Sequence, residues 1–140
     1  MTDQQIFMKV AWGFLGRPYI WGGDDPMRGF DCSGFVLECL KSIGLAGYNV
    51  DMTAEDIRQK FIAQATSLQA AVEGSLVFWL TNNGKATHIE IAVSPSFSIG
   101  ASGGGSATQT VDDAIKQNAY VKVRPIQRGG HITFAYPHNS

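Results

Sequence analysis

The chain has 140 residues, 44% of them hydrophobic and 16% charged, which is enough length and apolar content for one domain over residues 1–140 with a real core. Its 11 basic residues against 12 acidic ones leave no basic surplus of the kind that marks nucleic-acid binding. No stretch approaches the roughly 18 apolar residues of a membrane span. The polar start Met1-Thr2-Asp3-Gln4-Gln5 lacks the basic and apolar runs of a signal peptide, so no standard secretion route is expected.

Residues 4–15 carry Ile6, Phe7, Val10, Ala11 and Phe14 at helical spacing, and Gly16-Arg17-Pro18 ends that helix. Residues 19–23 read as a short extended segment and residues 24–30 as a loop, with Asp24-Asp25-Pro26 and Arg28-Gly29 as turn signals. A second helix spans 32–43, capped by Asp31 and closed by Gly44. A third spans 53–64, with Thr53 as its cap and Asp56 standing where a capping box wants a glutamate.

The second half changes character. Residues 75–80 form a strand, Asn82-Asn83-Gly84 is a hairpin turn, and residues 88–93 alternate strictly as the next strand. Strands at 97–101, 119–125 and 131–135 follow, with a short helix at 111–117. Lys122, Arg124 and Arg128 read as the polar side of an amphipathic strand and its flank. Helices first and strands afterwards define an α+β protein with a segregated antiparallel sheet.

The two cysteines, Cys32 and Cys39, lie on one predicted helix, about 10 Å apart along its axis. That exceeds the reach of a disulfide, so free thiols are expected. No cluster of His, Cys and carboxylates has ligand spacing, and neither a metal nor another cofactor is implied. Cys32 opens its helix directly after a turn-rich loop. Unpaired N–H groups at such a position favour a thiolate, and the same groups help to hold an oxyanion. The competing reading is a buried apolar cysteine, the usual fate of a free thiol and the better description of Cys39.

Three histidines could act as base. His138 sits near the C-terminus, where chains fray, and His131 follows Gly129-Gly130. His88 opens a strand beside a tight turn, which suits a site on a rigid scaffold, although a lone strand histidine can equally be structural. Glu90 shares a strand face with His88 and could orient its imidazole. It reads equally well as a solvent-facing glutamate on an edge strand.

The segments 16–23 (Gly-Arg-Pro-Tyr-Ile-Trp-Gly-Gly) and 30–36 (Phe-Asp-Cys-Ser-Gly-Phe-Val) resemble the NlpC-type cell-wall cysteine peptidases, which are papain-like. So do Gly74 to Trp79 and Thr87 to Val93, and the likeness runs in order over roughly residues 5–101. It implies amide hydrolysis in peptidoglycan stem peptides, with Cys32 as nucleophile and His88 as base. It further implies that Tyr19 lies beside the thiol, with Trp21 in the same motif, and that Asp31 and Ser33 contact substrate. Taken alone, Tyr19 and Trp21 would be core aromatics.

The chain departs from that pattern twice. Many members carry a histidine or another polar residue about twelve positions after the base, where this chain has Gly100. The position two after the base is usually small, and here it is Glu90. Glu90 or a backbone carbonyl is therefore expected to replace the missing orienting group. The segments 100–105 and 112–125 resemble the phage-associated branch of the family, which implies phage tail proteins as partners and delivery by a virion. A secretion-delivered effector fits as well. Two other functions fit the residues: a tail or wall-binding component with a degenerate site, and a Cys–His acyltransferase or deamidase.

Overall fold

The protein is represented by a computed structural model that describes residues 1–25, 27–65 and 70–138. Helix α1 spans Asp3–Gly13 and is fixed at its start by a reciprocal cap. The Thr2 hydroxyl accepts from the Gln5 N–H at 3.1 Å, while the Gln5 side-chain oxygen accepts from the Thr2 N–H at 2.8 Å. The helix stops two residues short of the predicted end, with Phe14 as its cap.

Residues predicted as a loop contain a small antiparallel ribbon, β1 (Asp24–Asp25) on β2 (Gly29–Phe30). The Asp25 carboxylate accepts from the Met27 N–H at 2.9 Å and so shapes the turn. Tyr19 runs parallel to Phe30 in a single bridge, and the Ile20 N–H donates to the Phe30 carbonyl at 2.9 Å. The segment before the ribbon is thus tied to β2, two residues before the next helix.

That helix, α2, spans Cys32–Lys41 under the predicted Asp31 cap. It ends earlier than expected, at Ser42, and Gly44 with φ +76° turns the chain two residues later. The Leu45 N–H folds back to the Leu40 carbonyl at 2.9 Å, which satisfies one of the last carbonyls. The single helix expected over 53–64 is broken into α3 (Ala54–Lys60) and α4 (Ile62–Ala65). Phe61 leaves helical geometry at φ −111°, its N–H shared between the Ile57 and Arg58 carbonyls while its ring is buried. Thr53 and Asp56 form the predicted capping box.

The five later strands are β3 (Leu76–Leu80), β4 (Ala86–Ala92), β5 (Phe97–Ser102), β6 (Tyr120–Pro125) and β7 (His131–Ala135). They pair antiparallel in the order β6-β5-β4-β3-β7, with α5 (Val111–Gln117) between β5 and β6. β4 is the central strand. Strand alternation sends Ile89, Ile91, Ile99, Ala101 and Val121 into one core with Phe7, Phe35 and Leu40 of the helices. Burying each such side chain contributes about 1.5–3 kcal/mol. Val77, Ala92 and Ile126 pack on the other face with Trp79, Ile132 and Phe134. His88 and Glu90 point to that second face, since they pair across the strands with Trp79 and Val77. The α+β class and the order of helices before sheet are as expected.

The C-terminal histidine departs from expectation. His138 is buried, edge-on to Phe7 at 4.7 Å and Tyr136 at 5.1 Å, with Nε2 3.1 Å from the Gly74 carbonyl. These contacts hold the segment where fraying was expected.

Candidate active site

Cys32 is the first residue of α2 and is half-buried. Its position is set by near neighbours in sequence. Asp31 Oδ1 accepts from the Gly34 N–H at 2.7 Å and from the Ser33 hydroxyl at 3.3 Å. The Asp31 N–H donates to the Gly23 carbonyl at 3.0 Å, which seats the Gly22-Gly23 turn against the helix start. A Cβ on Gly34 would lie 2.0 Å from that carbonyl oxygen, so only glycine lets the two backbones meet here. Cys39 is fully buried, and burial pushes its thiol pKa up. Burial, followed by the negative charges of Cys32 and Asp31, pushes up the Tyr19 phenol, which therefore stays a proton donor beside the thiol.

His88 stands on β4 opposite Trp79, their rings 5.3 Å apart. Its Nε2 is 2.7 Å from Glu90 Oε2, which leaves Nδ1 free of that bond, and Cys32 lines the same cleft. Burial pushes the imidazole towards its neutral form. Hydrogen bonds and charge from Cys32 and Glu90 outweigh that, and the pKa is held up at about 9.

Glu90 is fully buried on the central strand, so the reading of a solvent-facing glutamate on an edge is overturned. The Ser98 hydroxyl donates to Oε1 at 2.7 Å, and Arg128 Nη2 donates to Oε2 at 2.7 Å. Burial alone would raise its pKa. Bonding to His88, the charges of His88 and Arg128, and the Ser98 hydroxyl hold it below the usual carboxylate range. Arg128 in turn lies over the Trp79 ring at 4.3 Å. Gly100 explains how a long side chain fits there, because a Cβ at that position would be 2.3 Å from Glu90 Cγ. The two departures from the family pattern are therefore one feature. The side chain missing at 100 is the space that Glu90 fills.

Tyr19, Trp21, Cys32 and His88 line one cleft of about 300 Å³, together with Thr87, Ser102, Gly103, Gly104, Gly105 and Arg124. Tyr19 is buried under the Gly104 backbone, whereas Trp21 is 51% exposed and is no core residue. Asp31 and Ser33 face a neighbouring cleft of about 230 Å³ with Asp51, Thr53 and Asp56. Burial and the Asp51 charge raise the Asp31 pKa against its bonds to Gly34, Ser33 and Gly22.

Arg124 and Arg128 read from sequence only as the polar side of a strand and its flank, and Ser98 and Ser102 were not singled out. The alternation Ser98, Gly100, Ser102 along β5 does place small polar residues on the face of His88 and Glu90. Arg128 lies in a turn and gives no such signal. Among the described residues no three His, Cys or carboxylate side chains gather as metal ligands, and no helix is long and apolar enough to cross a membrane.

An antiparallel sheet presenting a histidine to a cysteine at a helix start is a papain-like arrangement. The family model described as NlpC/P60 matches residues 16–125, and the chain belongs to the NlpC/P60 family. It is 40% identical over 95 residues to the bifunctional muramidase/DL-endopeptidase CwlT of Bacillus subtilis (strain 168), covering 66% of this chain and 27% of that protein. It is 32% identical over 90 residues to the murein DD-endopeptidase MepH of Escherichia coli (strain K12), covering 64% of this chain and 32% of that one. The chain thus spans about a third or less of the length of these relatives. In fold it is similar to NlpC1 from Trichomonas vaginalis, with a TM-score of 0.69 at 19% identity over 96% of this chain and 44% of that one.

Proposed function

We propose that this chain is a peptidoglycan hydrolase that cleaves amide bonds in stem peptides through Cys32 and His88, with Glu90 orienting the imidazole. The observation that carries the reading is the position of His88, which lines one cleft with Cys32 and is bonded through Nε2 to a buried, fully engaged carboxylate. Relatives named for DL- and DD-endopeptidase activity support the substrate class.

In this reading the Cys32 thiolate attacks the amide carbonyl, and the electron pair moves to the carbonyl oxygen. N–H groups at the start of α2 and the protonated Tyr19 phenol are the donors available to that oxyanion. The His88 imidazolium then protonates the leaving amine as the C–N bond breaks, giving a thioester. Neutral His88 takes a proton from water, hydroxide adds to the thioester, and the carboxylate product leaves with Cys32 restored. Glu90 holds the ring through Nε2, so that Nδ1 does the proton transfers. The alternative of a degenerate site rests on Gly100, and the Glu90 side chain that fills the space there supports the active reading over it.

Purified peptidoglycan incubated with the wild type and with Cys32→Ala tests this. New amino termini and shortened muropeptides should appear with the wild type and fall by at least about 10³-fold in the variant. Equal product from both would overturn it.

A further inference from the structure

The cleft around Cys32 and His88 holds more positive charge than its own carboxylate matches. Glu90 Oε2 is already met at 2.7 Å by both His88 Nε2 and Arg128 Nη2. Arg124 stands 3.9 Å from the same oxygen, beyond hydrogen-bond reach. Its side chain is 36% exposed. It lines both the cleft that holds Cys32 and an adjoining hollow of about 340 Å³ bounded by Trp79, His88 and Arg128. Among the described residues, its hydrogen bond is from Nη2 to the Ser102 hydroxyl, and its buried Nε has no partner. A guanidinium carries five N–H donors, so most of this fork is unused and borders the reacting pair. Lys122, on the same face of β6, feels the excess. Burial, then the charges of Arg124 and Arg128, hold its amine below the usual lysine range.

We propose that Arg124, with Ser102, is a subsite for a carboxylate that the substrate carries beside the scissile amide. The inference rests on the hydrolase reading above. A guanidinium takes a carboxylate through two parallel hydrogen bonds and a full opposite charge. The carboxamide of the same shape lacks the charge and sets its own N–H groups against those of the arginine. Stem peptides offer this choice, since a γ-linked glutamate leaves its α-carboxyl beside the chain, either free or amidated. Arg124 therefore determines specificity for the free acid, and Ser102, accepting from Arg124, keeps its own proton to donate to the ligand.

Two reagents of nearly equal size separate the subsite from the hydrolase reading. Iodoacetate and iodoacetamide both alkylate a thiolate, forming a C–S bond and releasing iodide, but only the first is an anion. Rates at Cys32 are measured on the full chain by mass spectrometry of the peptide that contains it, with glutathione as the free-thiol reference. The wild type should favour iodoacetate over iodoacetamide by about tenfold relative to glutathione, and Arg124→Gln should remove about five- to tenfold of that preference. Arg124→Lys should keep part of it. With synthetic stem peptides, the wild type should prefer the α-carboxylate to the α-carboxamide by about tenfold in kcat/KM. Arg124→Gln should lose that preference through a raised KM for the carboxylate substrate.

A wild-type ratio equal to that of glutathione, or a ratio unchanged in Arg124→Gln, overturns the subsite while Cys32 remains reactive. A Cys32 that reacts no faster than Cys39 overturns the hydrolase reading beneath it. If the glutamine variant does not fold, Arg124→Met supplies the same comparison.

Discussion

Cys32 and His88 reach the same cleft from regions built in different ways. The cysteine wall is local: the Asp31 cap, Ser33, Gly34 and the Gly23 carbonyl all lie within ten positions of the thiol. The histidine wall is assembled at long range. Glu90 comes from the same strand, Ser98 from the next, Arg128 from beyond β6, and Trp79 from β3. A helix start can be specified by short-range hydrogen bonds, because its unpaired N–H groups seek partners from adjacent residues. A strand residue on a central strand meets its partners across the sheet, at whatever sequence distance the topology dictates.

The largest effect should come from breaking the local wall at its tightest contact. Gly34→Ala places a methyl 2.0 Å from the Gly23 carbonyl oxygen, which is backbone and cannot swing away. The cap at Asp31 would be lost along with the close approach. The expected cost is about 4 kcal/mol, read as a lower midpoint in urea unfolding. A loss below about 1 kcal/mol would show that the turn and the helix start are not rigidly coupled.

Next in size is the long-range wall. Gly100→His alone should destabilise by about 3 kcal/mol and abolish detectable hydrolysis, because Glu90 must leave its place beside His88. Combining it with Glu90→Ala should recover stability and part of the activity, since the new imidazole then occupies the vacated space. The readout is the double-mutant coupling energy. Simple additivity would mean that the two positions are not exchanging one role.

The contrast explains what was legible in the sequence. Asp31, Thr53 and the alternation of 88–93 announced themselves because caps and strand faces follow from residues a few positions apart. Cys32, Tyr19, Trp21 and His88 were legible because their motifs are contiguous. Arg128 and Ser98 were not, since their importance comes only from meeting Glu90, 38 and 8 positions away. The break at Phe61 was also hidden, because tertiary burial of one ring overrode a helical pattern that continued beyond it.

Glu90→Gln probes the orienting role with little change of shape. Hydrolysis should fall about 100-fold, or roughly 2.7 kcal/mol in the barrier. Stability will fall too, since Arg128 loses its counter-charge, so the pH profile is the discriminating measurement. His88 has a folded pKa raised from 6.5 to about 9. Its contribution to stability is therefore complete below pH 6.5 and is lost as pH rises through about 9. The alkaline limb of activity should follow the same titration, placing its midpoint near pH 9 in the wild type. Without the Glu90 charge that midpoint should move down towards 6.5. An unmoved limb with reduced activity would assign Glu90 to folding alone.

The smallest effect belongs to the buried His138, which makes the sign of the His88 shift easy to check. Among the described residues no acidic group hydrogen-bonds His138, and burial outweighs its bond to the Gly74 carbonyl and the charge of Asp3, so its pKa is lowered. A histidine buried neutral binds protons more readily once unfolded. Its contribution is thus present above pH 6.5 and is lost as pH falls below that value. His138→Gln can keep a donor to Gly74 and should cost only about 1 kcal/mol at pH 7. It should flatten the acid limb of the stability curve and leave the alkaline limb of activity where it was. The two histidines would then have pKa values shifted in opposite directions: bonds and charge from Glu90 and Cys32 outweigh burial at His88, whereas at His138 burial outweighs the Gly74 carbonyl and the charge of Asp3.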